Sequence, residues 1–152
     1  MIIDHVRAGD AERMKALRLR ALQEDPQGFS STYERELTLP EEWWTSRAAL
    51  SDAGEVQRMY IAREGERWLG MALARDDDGT AVLNAMWVAP EGRGRGAARA
   101  LCDACAEWAS THGFAVLEVG VFPDNEARRM YEAVGFAPDR EEDGILIFRR
   151  TL

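Results

Sequence analysis

Glycines alternate with arginines over residues 92–96, directly after a strongly apolar stretch of the chain. Glycine allows unusual backbone angles and the close approach of a ligand. From Ala97 onwards the sequence has helix formers and an apolar stripe at helical spacing. The sequence therefore predicts a turn that presents the N-terminus of a helix, where unpaired amide groups, the helix dipole and arginine side chains favour an anion.

The spacing of this turn limits which anion it binds. A P-loop for nucleoside triphosphates requires a lysine and a hydroxyl residue that are missing here. A dinucleotide fingerprint fits only as Gly92, Gly94 and Ala97, with Glu118 as its acidic residue, and it requires more parallel strands than the remaining chain supplies. A nicotinamide-dependent oxidoreductase therefore stays an alternative. A simple solvated turn is another, although clustered arginines in an acidic chain disfavour it.

A second motif lies downstream, in Tyr131-Glu132-Ala133-Val134-Gly135-Phe136. This element and Arg93-Gly94-Arg95-Gly96-Ala97-Ala98 resemble the Tyr-x-x-x-Gly-Phe and Arg/Gln-x-x-Gly-x-Gly/Ala motifs of the GNAT superfamily of acyl-CoA N-acyltransferases. The two motifs stand in the family's order, and the resemblance is closest over the last two thirds of the chain. The family's asparagine usually lies three residues before an alanine. Here Asn125 lies two residues before Ala127, and Asp124 takes the third place.

The resemblance implies an enzyme that uses acetyl-CoA as co-substrate, without a metal, and passes the acetyl group directly to a primary amine of a small molecule or peptide. Tyr131 matches the position of the family's general acid, which protonates the leaving thiolate. The strand before the turn would hold the pantetheine arm through its backbone, and the amides of the turn would hold the pyrophosphate. The implied cofactor-binding residues are Met86, Trp87, Val88, Arg93, Gly94, Arg95, Gly96, Ala97, Ala98, Asn125, Arg128 and Tyr131.

The acceptor side rests on the resemblance alone. In that family the region after the first helix forms one wall of the acceptor cleft, which implies substrate contacts from Phe29, Tyr33 and Glu34. The attacking amine must lose a proton to a base. Glu34, Glu118 and Asn84 (through a water molecule) are candidates for this base, and the sequence does not choose among them. A second interpretation of the same resemblance is an acyl-CoA-binding sensor module with weak catalysis.

Composition describes an acidic protein of 152 residues with net charge −8, which fits one domain over residues 1–152. An acidic chain disfavours nucleic-acid binding, which requires a basic surface. No apolar run is long enough for a membrane helix and no signal-peptide pattern opens the sequence, so we expect a cytoplasmic location. Cys102 and Cys105 lie well inside a predicted helix, which favours packing over redox chemistry or zinc binding. Members of the resembling family often pair through a sheet edge, so a homodimer stays open.

The elements that must position these residues follow from periodicity and turn signals. The order β-α-α-β-β-β-α-β-α-β predicts an α/β single domain with a mixed central sheet of six to seven strands, flanked by about four helices, in a GNAT-like fold. Thr38 and Glu41 predict a capping box at the second helix. The predicted strands cover 2–8, 56–63, 67–75, 81–88, 114–121 and 144–150. The predicted helices cover 11–23, 38–50 and 125–134, and a further long helix begins within 91–98, continues through Trp108 and is capped at 111–113.

Overall fold

A seven-stranded mixed β-sheet runs through the chain in the computed structural model, which describes all residues from 1 to 152. The strands are β1 (Ile2–His5), β2 (Gln57–Glu64), β3 (Arg67–Asp77), β4 (Thr80–Val88), β5 (Val116–Val121), β6 (Ala137–Glu142) and β7 (Ile145–Thr151). The helices are α1 (Ala11–Glu24), α2 (Tyr33–Leu37), α3 (Glu41–Ala53), α4 (Ala97–Thr111) and α5 (Ala127–Ala133), with short 3-10 turns at Ala8–Asp10, Pro26–Gly28 and Pro90–Gly92. None of the helices is long and apolar enough to cross a membrane.

The strands lie in the order β1-β2-β3-β4-β5-β7-β6. Every neighbouring pair is antiparallel except β4 and β5, which are parallel and are connected by α4. Parallel neighbours require such a crossover, whereas β2, β3 and β4 follow each other through tight turns. The predicted parallel pairing of the two central strands is therefore confirmed.

Two apolar cores lie on opposite faces of the sheet, because successive side chains of a strand point to opposite sides. Ile61 and Met71 contribute to the core under α1 and α3, whereas the adjacent Ala62 and Ala72 contribute to the core under α4 and α5. Small alanines on the α4 face let that helix approach the sheet closely. Cys102 and Cys105 are fully buried free thiols of α4 in the same core, as the packing interpretation predicts.

The fold class is confirmed, and two elements were missed. The sequence 137–142 forms edge strand β6 with every residue exposed, so it has no apolar alternation that would mark it as a strand. The five-residue helix α2 is capped by Thr32, whose side chain accepts a hydrogen bond from the Arg35 amide. The predicted capping box was wrong, because the Thr38 hydroxyl donates to the Arg35 carbonyl and closes α2, while α3 begins after Pro40.

Candidate active site

The two central parallel strands separate at their carboxyl ends and leave a cleft. Three register pairs join β4 to β5, and the last of them is Leu83 with Val119. Ala85 then adopts a positive φ of 56°, and the pairing of β4 with β3 shifts register at the same place. A bulge of this kind bends the strand and redirects it. The result is a cavity of about 920 Å³, lined by β4 on one side and by β5 and α5 on the other.

The glycine–arginine turn opens at one end of this cleft. Gly94 and Gly96 have φ values of 76° and 81°, a left-handed conformation that glycine adopts without steric cost. The amides of residues 94–99 make no backbone hydrogen bond, and the first paired amide is that of Ala100, which donates to the Gly96 carbonyl at 3.0 Å. Six consecutive free amides, at the N-terminus of the 15-residue helix α4, form a cradle for an anion such as a pyrophosphate.

The arginines of the turn already have partners in the protein. Arg93 donates from Nε to the Val88 carbonyl at 2.9 Å and from its Nη2 to Asp25 at 3.1 Å. Arg95 pairs with Glu64, outside the cavity. Arg99 donates to the Ala133 carbonyl at 2.9 Å, which joins α4 to the end of α5. The cradle therefore consists chiefly of backbone amides.

Tyr131 lies on α5 and forms part of the wall of the cavity opposite β4. Its side chain is only 6% exposed and packs edge-on against Phe136, with ring centroids 5.5 Å apart. The chain turns back between them at Gly135, whose φ of 98° favours glycine. Burial raises the pKa of Tyr131 well above the ordinary tyrosine value. The phenol is therefore protonated at neutral pH.

Asn125 stabilises the start of α5. Its Oδ1 accepts a hydrogen bond of 2.9 Å from the Ala127 amide, as a helix-capping side chain does. Asn125 also lies in the cavity wall, whereas Asp124 does not. The asparagine therefore reaches the site although its spacing differs by one residue from the family pattern.

Of the other residues implied for the cofactor, Met86, Trp87, Val88 and Ala98 also lie in the cavity wall, whereas Arg128 does not. Arg128 is exposed, and its nearest carboxylate is that of Glu132 at 3.9 Å.

The three candidate bases lie in different surroundings. Asn84 is in the cavity wall, where its Oδ1 accepts a short hydrogen bond of 2.6 Å from Arg75 Nε. Glu118 accepts two hydrogen bonds from Arg140, at 2.9 and 3.1 Å, and is not part of that wall. Glu34 is exposed and lies with Tyr33 in a second, smaller cavity of about 360 Å³.

Phe29 lies between the two cavities and contributes to both of them. Among the three residues implied for the acceptor, it is the one that reaches the large cavity. The structure thus brings Phe29 together with Asn84 and Tyr131 in the wall of the large cavity, whereas Tyr33 and Glu34 line only the smaller one.

Sequence reasoning missed most of the wall formed by the N-terminal part of the chain. This wall contains Arg18, Asp25, Trp43, Trp44, Arg47 and Arg75. Trp43 and Trp44 signal packing in the sequence, and they do pack edge-on against each other at 4.6 Å. The arginines belong to α1, α3 and β3, which are far apart in sequence, so no local pattern brings them together.

The model of the Acetyltransferase (GNAT) family matches residues 16–136, and the chain belongs to this family of acetyltransferase enzymes. The comparison with curated protein sequences found no match.

Solved structures share the fold at low sequence identity. PaiA N-acetyltransferase from Thermoplasma acidophilum, in complex with coenzyme A, is similar over 100% of both chains, with a TM-score of 0.82 and 14% identity. The GNAT domain of S. lividans PAT matches 99% of this chain and 89% of its own, with a TM-score of 0.81 and 21% identity. YncA from Salmonella typhimurium, with its cofactor acetyl-CoA, covers 100% of this chain and 94% of its own, with a TM-score of 0.72 and 17% identity.

Proposed function

We propose that this protein transfers an acetyl group from acetyl-CoA directly to a primary amine of a small molecule or peptide. One observation carries the proposal: the turn with the unpaired amides of residues 94–99 meets the cleft between β4 and β5 at Arg93 and Ala98, and Tyr131 lies in the wall of the same cleft. An anion cradle at one end and a buried proton donor in the wall suit a thioester that is anchored by a pyrophosphate.

The cradle and the open edge of β4 would position the co-substrate. The turn amides would bind the pyrophosphate, and Ala98 extends this contact into the cavity wall. Beyond Leu83 the β5-facing edge of β4 is without a strand partner, so the backbone of Met86 and the amide of Val88 are available to an extended pantetheine arm, whereas the Val88 carbonyl accepts from Arg93. Hydrogen bonds along such an edge fix an extended ligand as a neighbouring strand would.

Acetyl-CoA supplies the acetyl group as a thioester. An amide of β4 would polarise the thioester carbonyl, as an oxyanion donor does. The amine nitrogen forms the new bond to the carbonyl carbon, the carbon–sulfur bond breaks, and Tyr131 donates its proton to the departing sulfur. Because both reactants are held in one cleft, much of the acceleration comes from proximity and orientation.

The attacking amine must also release a proton. Asn84 is the candidate that lies in the cavity, and Arg75 fixes its orientation through the bond to Oδ1. We propose that Asn84 holds a water molecule that carries this proton towards solvent. Glu34 is not included, because it is in the second cavity beyond Phe29.

Isothermal titration with acetyl-CoA, with NADH as the control, followed by release of free CoA over a panel of primary amines, tests this function. We expect saturable acetyl-CoA binding, no NADH binding, and turnover on at least one amine. Binding without turnover across the panel would support the sensor interpretation. Absence of acetyl-CoA binding would contradict the assignment of the turn as an anion cradle.

A further inference from the structure

The wall of the cavity has more cationic than anionic side chains, although the whole chain is acidic. The wall contains four arginines, Arg18, Arg47, Arg75 and Arg93, and a single carboxylate, Asp25, whereas the net charge of the protein is −8. A wall of this sign repels polycationic amines and attracts anionic groups. The distribution of charge therefore bears on which amine the enzyme accepts.

Three of these arginines have a carboxylate within ion-pair distance, and the partner of Arg75 is the exposed Asp77 at 3.4 Å. Arg93 pairs with Asp25 at 3.1 Å, next to the glycine turn. Arg18 makes two hydrogen bonds of 2.9 Å to Glu36, a buried residue that is 2% exposed. Although burial opposes ionisation of Glu36, the hydrogen bonds from Arg18 keep the pKa of this carboxyl below its ordinary value. The charge of Arg18 is therefore used in holding α1 against α2.

Arg47 differs from the other three, because no carboxylate lies within ion-pair distance of it. Its one hydrogen bond is a long one of 3.4 Å to the Trp43 carbonyl, and its guanidinium lies 3.7 Å from the centre of the Trp43 ring. Burial lowers the pKa of Arg47, and the attraction of the Glu36 carboxylate, which Arg18 already binds, offsets this only in part. Stacking on an aromatic face leaves the edge of a guanidinium free to donate to an anion.

Arg75 adds a further donor to this wall. Arg75 uses Nε on Asn84, and its Nη1 pairs with the exposed Asp77 at 3.4 Å, which leaves Nη2 without a protein partner. Trp44 also borders the cavity, but its indole Nε1 is buried, has no hydrogen-bond partner and is not accessible to a ligand. The donors of this wall that stay open to an anion are therefore those of Arg47 and Arg75.

From these contacts we infer that the acceptor is a small amine that also carries an anionic oxygen group, a carboxylate or a phosphonate, bound by Arg47 with help from Arg75. The inference rests on the proposed acetyl transfer and narrows its acceptor. The anionic group would supply the counter-ion that Arg47 lacks, and planar guanidinium groups match both kinds of anion. Trp43 and Phe29 would cover the apolar part of such a molecule.

The test compares acceptors that differ only in charge. L-amino acids, their uncharged carboxamides and aminoalkylphosphonates are assayed with the wild type, with Arg47→Gln, and with Arg149→Gln as the control. Arg149 is an exposed arginine of β7 outside the cavity, so the control makes the same change of charge elsewhere. The same acids are also titrated into the protein saturated with CoA, which measures acceptor binding without chemistry.

We expect the wild type to prefer an acid over its carboxamide. Arg47→Gln should raise KM for the acid roughly 10- to 100-fold, the range for a lost charge-assisted hydrogen bond. The kcat for the acid and the KM for the carboxamide should change little. Arg149→Gln should behave as the wild type. Comparison of the L-amino acids with the aminoalkylphosphonates then shows whether the wild type prefers a carboxylate or a phosphonate.

Equal use of the acid and the carboxamide by the wild type, or an equal loss for both in Arg47→Gln, would overturn the inference. If the acids bind to the CoA complex through Arg47 but no acceptor is turned over, the inference stands and the proposed acetyl transfer fails. If acetyl transfer occurs only to neutral or cationic amines, the proposed function stands and the inference fails.

Discussion

Trp87 Nε1 donates a hydrogen bond of 2.7 Å to Asp25 Oδ2, which joins strand β4 to the end of helix α1. The same carboxylate oxygen accepts from Arg93 at 3.1 Å. Trp87 is 5% exposed, so its indole N–H depends on this one acceptor. The contact fixes the N-terminal wall of the cleft to the strand that leads into the glycine turn.

Asp25→Ala should lower the free energy of unfolding by roughly 2 kcal/mol, because the buried indole N–H of Trp87 would lose its partner. Asp25→Asn keeps an acceptor oxygen for Trp87 and should lose less than half as much, because an exposed ion pair such as that with Arg93 contributes little. Urea denaturation followed by tryptophan fluorescence measures both variants. Equal losses would show that the charge of Asp25 matters more than its hydrogen bond to Trp87.

Removal of the Tyr131 hydroxyl should affect turnover and leave binding intact. Tyr131→Phe should lower kcat by roughly 100-fold, the contribution of a positioned proton donor, while the Kd for acetyl-CoA stays the same. Steady-state kinetics and isothermal titration measure the two quantities. Unchanged turnover would remove the hydroxyl from the reaction and favour a sensor.

The pH profile of the wild type gives a second test of Tyr131. The donor must be protonated, and burial raises its pKa above the ordinary value of 10.0, so ionisation of Tyr131 should not reduce kcat as the pH rises from 7 to 10. A decrease in kcat with a midpoint below pH 10, absent from Tyr131→Phe, would contradict the buried proton donor.

Gly96→Glu should abolish binding of acetyl-CoA in a protein that still folds. The substitution places a negative side chain at the mouth of the amide cradle, where no other atom of the protein lies within 4 Å of a Cβ. Gly96→Ala has the same φ of 81° to adopt but brings no charge, so it should weaken binding far less. Circular dichroism verifies the fold, and titration measures the affinity. Near-normal binding by Gly96→Glu would place the pyrophosphate elsewhere.

Ala85→Gly should stabilise the protein, an unusual result for a substitution within a strand. Ala85 has a φ of 56° at the bulge, and relief of this conformation should raise the free energy of unfolding by about 0.5 to 1 kcal/mol after the entropy cost of glycine. Ala81→Gly is the matched control in the same strand, where the alanine is 1% exposed and has no positive φ. It should lower the free energy of unfolding by about 1 kcal/mol. A loss in both variants would argue against strain at Ala85.

Alkaline pH should destabilise the fold through the thiols of α4. Burial raises the pKa of Cys102 from 9.0 to about 12, so the native thiol stays protonated while the unfolded one ionises. The stabilisation is complete below pH 9 and is lost as the pH rises towards 12. Between pH 8 and 10.5 the Cys102 thiol should account for roughly 2 kcal/mol of lost unfolding free energy. Urea denaturation in reducing buffer should show a smaller pH effect in Cys102→Ala, and an equal effect in both proteins would exclude the thiol as its source.

The sequence was sufficient for elements with a local signal. The apolar strand before Pro90, the alternating glycines and the amphipathic α4 each carry their own pattern, and together they define the anion cradle. Strand β6 has no such pattern, because it lies at the sheet edge with all of its side chains exposed. It forms by hydrogen bonding to β7 instead.

The two walls of the cleft also differ in whether a local sequence pattern predicts them. Tyr131 was identified because it belongs to a motif that is contiguous in sequence. Arg47 and Asp25 were not, because their roles depend on α1 and α3 packing against the sheet, a tertiary arrangement that spacing along the chain does not encode. The acceptor wall therefore required the structure.

The sheet consists of two antiparallel parts of unequal size, which we call its leaves. The larger leaf contains β1, β2, β3 and β4, the smaller one contains β5, β7 and β6, and only three residue pairs between β4 and β5 join them. Such a narrow seam is a natural boundary between cooperative units, and opening it breaks few backbone hydrogen bonds. Amide protons of the smaller leaf are therefore expected to exchange with solvent before those of β2 and β3. A molecule that fills the cleft contacts both leaves, so its binding energy opposes their separation and couples the two units into one.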